Sequence, residues 1–276
     1  MSDLPQIDAK TCVVRDTASR RGRHISIRPG QTAARHLHYG RIVLEGESLT
    51  FDTEERETAL ICLKGTATIE LPSEAPRGTG SFTLTTYDAL YIPRGTSVTV
   101  SGNCDLAEVA APVDNEYPIQ FVKFADVKSN PALSFDTGGE SSRRNLNILI
   151  GKNVEAGRIL AGVTFSQPGN WTSWPPHEHA NLAEEAYLYI DMPEPAWGLQ
   201  LVYTDARDPE LVTVVKQDDV VIMPHGYHPN VSAPGGTINF LWMMAANRET
   251  EDRQFGVVNV HPDYAKGGSG LEASRK

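Results

Sequence analysis

Asp219-Val220-Val221-Ile222-Met223-Pro224-His225-Gly226-Tyr227-His228 can be laid without a gap on Asp88-Ala89-Leu90-Tyr91-Ile92-Pro93-Arg94-Gly95-Thr96-Ser97. Asp88 coincides with Asp219, Pro93 with Pro224 and Gly95 with Gly226. In both copies four apolar residues run into a Pro-x-Gly turn, the pattern of a short buried strand that ends abruptly. Two such stretches in one chain mark an internal duplication.

Working outward, the rest of the chain has the same texture. Residues 41–44, 58–63, 67–71, 81–85 and 97–100 read as short strands in the first half. Residues 158–165, 186–190, 199–203, 212–215, 220–223 and 237–243 do so in the second. Gly, Pro and Asp punctuate them, Gly65 falls where a hairpin turn is needed, and long 3.6-residue periodicity is scarce. The expected class is all-β, two duplicated β-barrel or jelly-roll units. The first should span 1–130 and the second 131–265, with a disordered tail at 266–276. Pro118, Pro131, Gly138, Gly139, Ser141 and Ser142 suggest a connecting loop over 112–144.

Comparison of the copies separates scaffold from chemistry. Ser97 stands where His228 stands. Residues 51–57 hold no histidine where the second copy has Trp174-Pro175-Pro176-His177-Glu178-His179. Histidines at i and i+2 on an extended strand face one side. With Glu185 and His228, His177 and His179 form a four-donor set for a divalent cation. The first unit keeps the turns and lacks the donors. Its expected role is to cover the second unit or to make an oligomer contact, and exposed strand edges make a homo-oligomer a further expectation.

The chain of 276 residues is 40% hydrophobic and 22% charged, an ordinary globular composition. A net charge of -10 argues against nucleic acid and anionic membranes as partners. An anionic substrate would therefore need a local basic group. Cys12, Cys62 and Cys104 are odd in number and widely spaced, so no disulfide framework is expected. Cys62 lies in an apolar run and reads as packing. Met1-Ser2-Asp3-Leu4-Pro5 lacks the marks of a signal peptide, and no apolar run is long enough to span a bilayer. The expected location is cytoplasmic.

The order His-x-His, Glu, Pro-x-Gly-x-His resembles the cupin superfamily, and so implies a duplicated cupin, or bicupin. Gly169-Asn170-Trp171-Thr172-Ser173-Trp174-Pro175-Pro176-His177-Glu178-His179 is similar to the Gly-Asn-Trp-Ser-Ser-Tyr-Pro-Pro-His-Lys-His stretch of the bacterial 5-deoxy-glucuronate isomerases. Glu184-Glu185-Ala186-Tyr187-Leu188-Tyr189 and Pro224-His225-Gly226-Tyr227-His228-Pro229 fit that family as well. One departure is visible: only Ala180-Asn181-Leu182-Ala183 separates the second histidine from the glutamate pair, where the family has a longer insertion.

The resemblance implies a metal-dependent aldose–ketose isomerase. It would convert 5-deoxy-D-glucuronate to 2-deoxy-5-keto-D-gluconate in myo-inositol catabolism. The metal ligands carried over are His177, His179, Glu185 and His228. Zinc is the first expectation for the single ion, with manganese or iron as alternatives. Tyr187, Tyr227 and Glu184 are candidates for proton transfer, although Glu184, like Glu178, neighbours a ligand and should point the other way. Tyr189 shares the parity of Glu185. Arg144, Arg143 and Tyr203 are candidates for binding the substrate, with Lys216 behind them. Trp171 and Trp174 are candidates to wall the pocket. The alternatives are an isomerase of another uronate such as 4-deoxy-5-hexulose-uronate, an iron-dependent cupin dioxygenase, and a non-enzymatic sugar-binding cupin.

Overall fold

The strand Arg56–Leu71 is the spine of the first unit in the computed structural model, which describes residues 4–72 and 80–267. It pairs with Ser97–Pro112 on one side and with Ala89–Ile92 and Gly80–Leu84 on the other, all antiparallel. The full sheet runs Gly22–Ile27, His38–Asp52, Ser97–Pro112, Arg56–Leu71, Ala89–Ile92, Gln120–Val122.

Alternation along these strands builds two cores. Leu60, Cys62, Leu90, Ile92 and Leu106 face inward and enclose an apolar cluster within the first unit. Ala59, Ile61, Ala89, Tyr91 and Ala107 point the other way, into a larger cluster shared with the second unit. Because both faces are buried, the sequence here reads as a continuous apolar run rather than an alternating one.

The second unit repeats the plan. Its main sheet runs Val13–Val14, Val220–Met223, Ala183–Ile190, Asn239–Ala246, Ile159–Ser166, Arg144–Ile150, Ser134–Thr137. A smaller sheet of Trp171–Thr172, Asn230–Ser232, Gly198–Val202 and Leu211–Val215 completes it. The residues shared by the two copies are turn chemistry. Gly95 and Gly226 have φ of 65° and 87°, a region L side chains avoid. A β-carbon on Gly226 would also lie 2.9 Å from the Tyr203 carbonyl oxygen. Asp88 accepts the amide of Thr85 at 2.9 Å, and Asp219 accepts that of Lys216 at 3.0 Å, closing the same tight turn in each copy.

The hydrogen-bonded sheets do not close into barrels, which leaves the jelly-roll form of the expected fold. The structure departs from expectation in two places. Residues 112–144 are not a plain loop. They contain Gln120–Val122, which extends the first sheet, the helix Phe124–Ser129, and Ser134–Thr137, which edges the second. Val13–Val14, near the start of the chain, pairs with Val220–Met223 of the second sheet. Of the expected tail, 268–276 lies outside the described residues, and Pro262–Gly267 forms a 3-10 turn. Cys12, Cys62 and Cys104 are buried and free. Among the described residues no helix is long and apolar enough to cross a membrane.

Candidate metal centre

Glu185 lies at the start of the Ala183–Ile190 strand, opposite Met223 on one side and Met244 on the other, and points into the interior of the second unit. His228 follows the Pro224-His225-Gly226 turn, in the connection between the Val220–Met223 and Asn230–Ser232 strands, and reaches the same space. His177 sits on a two-residue strand, His177–Glu178, that pairs with Asn259–Val260 rather than with the main sheet. His179 comes just after it, at the head of a turn closed by the Leu182 and Ala183 amides on its carbonyl.

Donor atoms of His179, Glu185 and His228, all buried, lie within 4.8 Å of one another. The Nε2 atoms of His179 and His228 stand 3.0 and 3.1 Å from Oε2 of Glu185. The His177 ring centre is 5.0 Å from that of His228 and 6.3 Å from that of His179, against the same cavity.

The other ring nitrogens decide the tautomers. Nδ1 of His177 meets Pro175 O at 2.9 Å, Nδ1 of His179 meets Ala183 O at 2.9 Å, and Nδ1 of His228 meets Gly226 O at 2.8 Å. A carbonyl oxygen only accepts, so each Nδ1 carries the proton and each neutral ring presents an Nε2 lone pair. His228 Nε2 is buried without a hydrogen-bond donor: it faces a carboxylate oxygen, acceptor to acceptor. That arrangement leaves a buried lone pair unsatisfied unless a cation sits between the groups. The donor set therefore fits a divalent metal.

Electrostatics agree with that fit. Burial, with the nearby His228 ring, pushes the His177 imidazole down to about 3, so it stays neutral and free to ligate. Burial works against the charged forms of both His179 and Glu185, but their mutual hydrogen bond outweighs it. His179 is held above its ordinary value and Glu185 far below the carboxylate range.

Beside these donors the cavity is bordered by Arg144, Ser173, Tyr187, Thr164, Phe240 and Trp242. Arg144 is buried, and Nη1 and Nη2 donate to the Ser142 and Trp174 carbonyls, each at 2.8 Å. Among the described residues it makes no ion pair, and burial pushes it down to about 10. The Tyr187 hydroxyl is 2.8 Å from Ser173 Oγ, and burial raises its pKa well above the ordinary value. Residues 254–258 cover the cavity, with Phe255 stacked on Trp242 at 5.2 Å.

The sequence profile of the KduI/IolB family matches residues 12–263. The chain belongs to this family. A 5-deoxy-glucuronate isomerase from Geobacillus kaustophilus is 34% identical over 209 residues, 71% of this chain and 73% of its own length. The Bacillus subtilis strain 168 enzyme of the same name is 29% identical over 214 residues, 72% and 77% of the two chains. Like these relatives, this member of the family is an isomerase. An IolB-like protein from Salmonella typhimurium LT2 superposes with a TM-score of 0.78 over 92% of this chain and 98% of that one, at 22% identity. Bacillus subtilis oxalate decarboxylase, whose structure has Mn(II) centres, superposes with a TM-score of 0.62 at 10% identity, over 94% and 81%. The fold is thus that of a duplicated cupin.

Several side chains expected at the site of this family member stand elsewhere. Glu184 points toward the first unit, as strand parity requires, and is fully buried there. Glu178 accepts from the Ala180 amide and from Asn259 outside the cavity. Tyr189 bonds Gln200, one turn of the pleat beyond Tyr187. Tyr203 and Tyr227 pack on each other and toward His261, away from the cavity lining. Arg143 borders a separate surface hollow with Gln167 and Asn170. Lys216 is exposed and pairs with Glu194. Trp171 packs on Trp174 at a tilt and Trp174 meets Tyr264 edge to face, and neither tryptophan borders the cavity. His225 is half-buried against the Pro5 carbonyl. The cover at 254–258 and the polar residues Ser173 and Thr164 were not legible in advance. The aromatic Phe255 after a polar stretch is the one local signal for the cover.

Proposed function

We propose that the chain converts 5-deoxy-D-glucuronate to 2-deoxy-5-keto-D-gluconate in myo-inositol catabolism. One divalent ion would be held by His177, His179, Glu185 and His228. The ligand-free first unit, 1–130, supports the metal-holding second unit, 131–265, and the setting is the cytoplasm. The observation that carries the reading is the set of three imidazoles whose Nδ1 protons are spent on backbone carbonyls, leaving Nε2 lone pairs beside a carboxylate. Three imidazoles and a carboxylate suit zinc, and by the same chemistry manganese or iron. When bound, such an ion supplies Lewis-acid stabilisation of the charge that builds on the sugar's carbonyl and hydroxyl oxygens.

The chain's own residues do the rest. Isomerisation moves a hydrogen, as a proton through an enediol or as a hydride, from the carbon beside the carbonyl to the carbonyl carbon, with no net change in redox state. Among the described residues Arg144 is a buried cation without an acidic partner, and its guanidinium takes the substrate carboxylate at the far end of the sugar. Of the candidates for proton handling, Tyr187 is the one that borders the cavity. Burial keeps it a phenol, so it acts as a hydrogen-bond donor to a sugar oxygen, with Ser173 setting its direction. Phe255 and Trp242 close the apolar side and exclude water.

Proton NMR with purified protein would follow 5-deoxy-D-glucuronate and 4-deoxy-5-hexulose-uronate in parallel. Appearance of the ketose from the first, with the higher kcat/KM, is expected. The reverse order of kcat/KM would reassign the substrate to the second uronate.

A further inference from the structure

Two buried carboxylates outside the candidate centre occupy the same place in the two copies. Thr58 lies opposite Ile92 and Glu185 opposite Met223, and the repeat matches Ile92 with Met223. Thr58 therefore matches Glu185, and Glu57 matches Glu184. Both glutamates are fully buried, and strand alternation turns each out of its own unit and toward the other.

Glu184 accepts the backbone amides of Arg35, His36 and Leu37 at 2.7, 2.6 and 2.6 Å, the residues leading into the His38–Asp52 strand. Glu57 accepts those of Gly157, Arg158 and Ile159 at 2.7, 2.6 and 2.7 Å, leading into Ile159–Ser166. Strand pairing makes the donors equivalent as well. His38 is opposite Ala110, which faces Thr58, and Leu160 is opposite Met244, which faces Glu185. In each grip one carboxylate oxygen takes two amides and the other takes the third. Each unit holds the other by the same three-amide contact.

What stands beside the two grips differs. Glu57 is followed by Thr58. Glu184 is flanked by Glu185 and by Ala183, whose carbonyl takes Nδ1 of His179. Ala183 and Glu184 are held by the sheet on one side only, and Glu185 is the first residue paired on both. Pairing with Asn239–Ala246 begins at Ala183, but pairing with Val220–Met223 begins at Glu185. The carboxylate of Glu184 supplies a hold where the second ladder is missing. The first unit adds a second tie: Arg35 donates to Asn247 Oδ1 at 2.8 Å, and Asn247 Nδ2 donates to Ala180 O at 2.8 Å, in the turn after His179.

We propose that Glu184 is a positioning residue through which the ligand-free first unit sets Glu185 and His179 for metal binding, while Glu57 is its purely architectural counterpart. This rests on the proposed ligation by Glu185. Supporting residues behind metal ligands characteristically change affinity about 10–100-fold when altered.

The test compares Glu184→Gln with Glu57→Gln in the full chain. Each change sets an amide NH2 against one backbone N–H. Cobalt(II) is the probe, its affinity measured by chelator competition and its ligand geometry by visible absorption, beside thermal unfolding of the metal-free proteins. Both variants should unfold at a similarly lowered temperature without metal. Glu184→Gln should bind cobalt about tenfold more weakly or worse, with an altered spectrum. Glu57→Gln should keep the wild-type affinity and spectrum. Wild-type cobalt binding in Glu184→Gln, or equal losses in both variants, would overturn the proposal. If Glu184→Gln does not fold, Glu184→Asp, which keeps the charge and shortens the reach, carries the same comparison. A wild-type chain that binds no cobalt would instead overturn the ligand reading beneath it.

Discussion

Thr58 stands in the first unit where Glu185 stands in the second, each one strand away from the apolar residue before the Pro-x-Gly turn. Ser97 and His228 form the second such pair. The duplication kept the frame and changed the residues that carry lone pairs. A single ion per chain is therefore expected. His228→Ala and Glu185→Gln should each empty the site, since a buried donor set with one member missing loses most of its affinity. Ser97→Ala and Thr58→Ser should leave the metal content of the wild type. Elemental analysis of the dialysed proteins is the check.

Arg144 should matter to the substrate and not to the metal. Arg144→Gln removes a charged hydrogen-bond partner of the carboxylate worth about 2 kcal/mol, so kcat/KM should fall roughly 30-fold, with metal content unchanged. Steady-state kinetics beside metal analysis separates the two effects. Loss of metal in this variant would mean that Arg144 supports the centre instead.

Phe255 should act as part of the cover. Phe255→Ala removes the stack on Trp242 and should cost about 1 kcal/mol of stability, because the ring is only half-buried. Amide hydrogen exchange over 254–260 should quicken, and a chelator should strip the metal faster. Unchanged exchange would show that the segment is held by its pairing with His177–Glu178 alone.

Glu249 should contribute to the acid limb of stability. Burial works against its charge, but hydrogen bonds from Tyr117 and from the Asp114 and Asn115 amides outweigh it and hold the carboxyl below its ordinary value. A lowered folded value means that the unfolded chain binds the proton more readily. The contribution is present above the unfolded carboxyl pKa of about 4.3 and is lost as pH falls below it. Glu249→Gln should flatten the dependence of the unfolding midpoint on pH in that window and lower stability at pH 7.

The fold and the candidate donors were legible because they depend on local pattern. A four-residue apolar run before Pro-x-Gly is readable wherever it occurs, and two copies of it imply two units. His177 and His179 were legible by parity even though only His177–Glu178 is paired as strand. Tyr189 shows where parity stops. It faces the same way as Tyr187, but two residues carry it about 6.6 Å along the strand, past Phe240 and onto Gln200. Tyr203 falls just past the Gly198–Val202 strand of the smaller sheet and bridges Tyr227, a placement no local periodicity reports. The 112–144 segment reads as a loop because Pro118, Pro131, Gly138 and Gly139 break it into short pieces and lie outside its strands and helix. The strands between them are three and four residues long and exist only through tertiary pairing. The partners of Glu57 and Glu184 are backbone amides about a hundred residues or more away, which side-chain identity cannot reveal.

The most direct test of the account is turnover of 5-deoxy-D-glucuronate by protein stripped of metal and then reloaded with zinc, manganese or iron. The account predicts no isomerisation by the stripped protein and recovery with at least one of these ions, at one ion per chain. Full-rate isomerisation by metal-free, folded protein would contradict it.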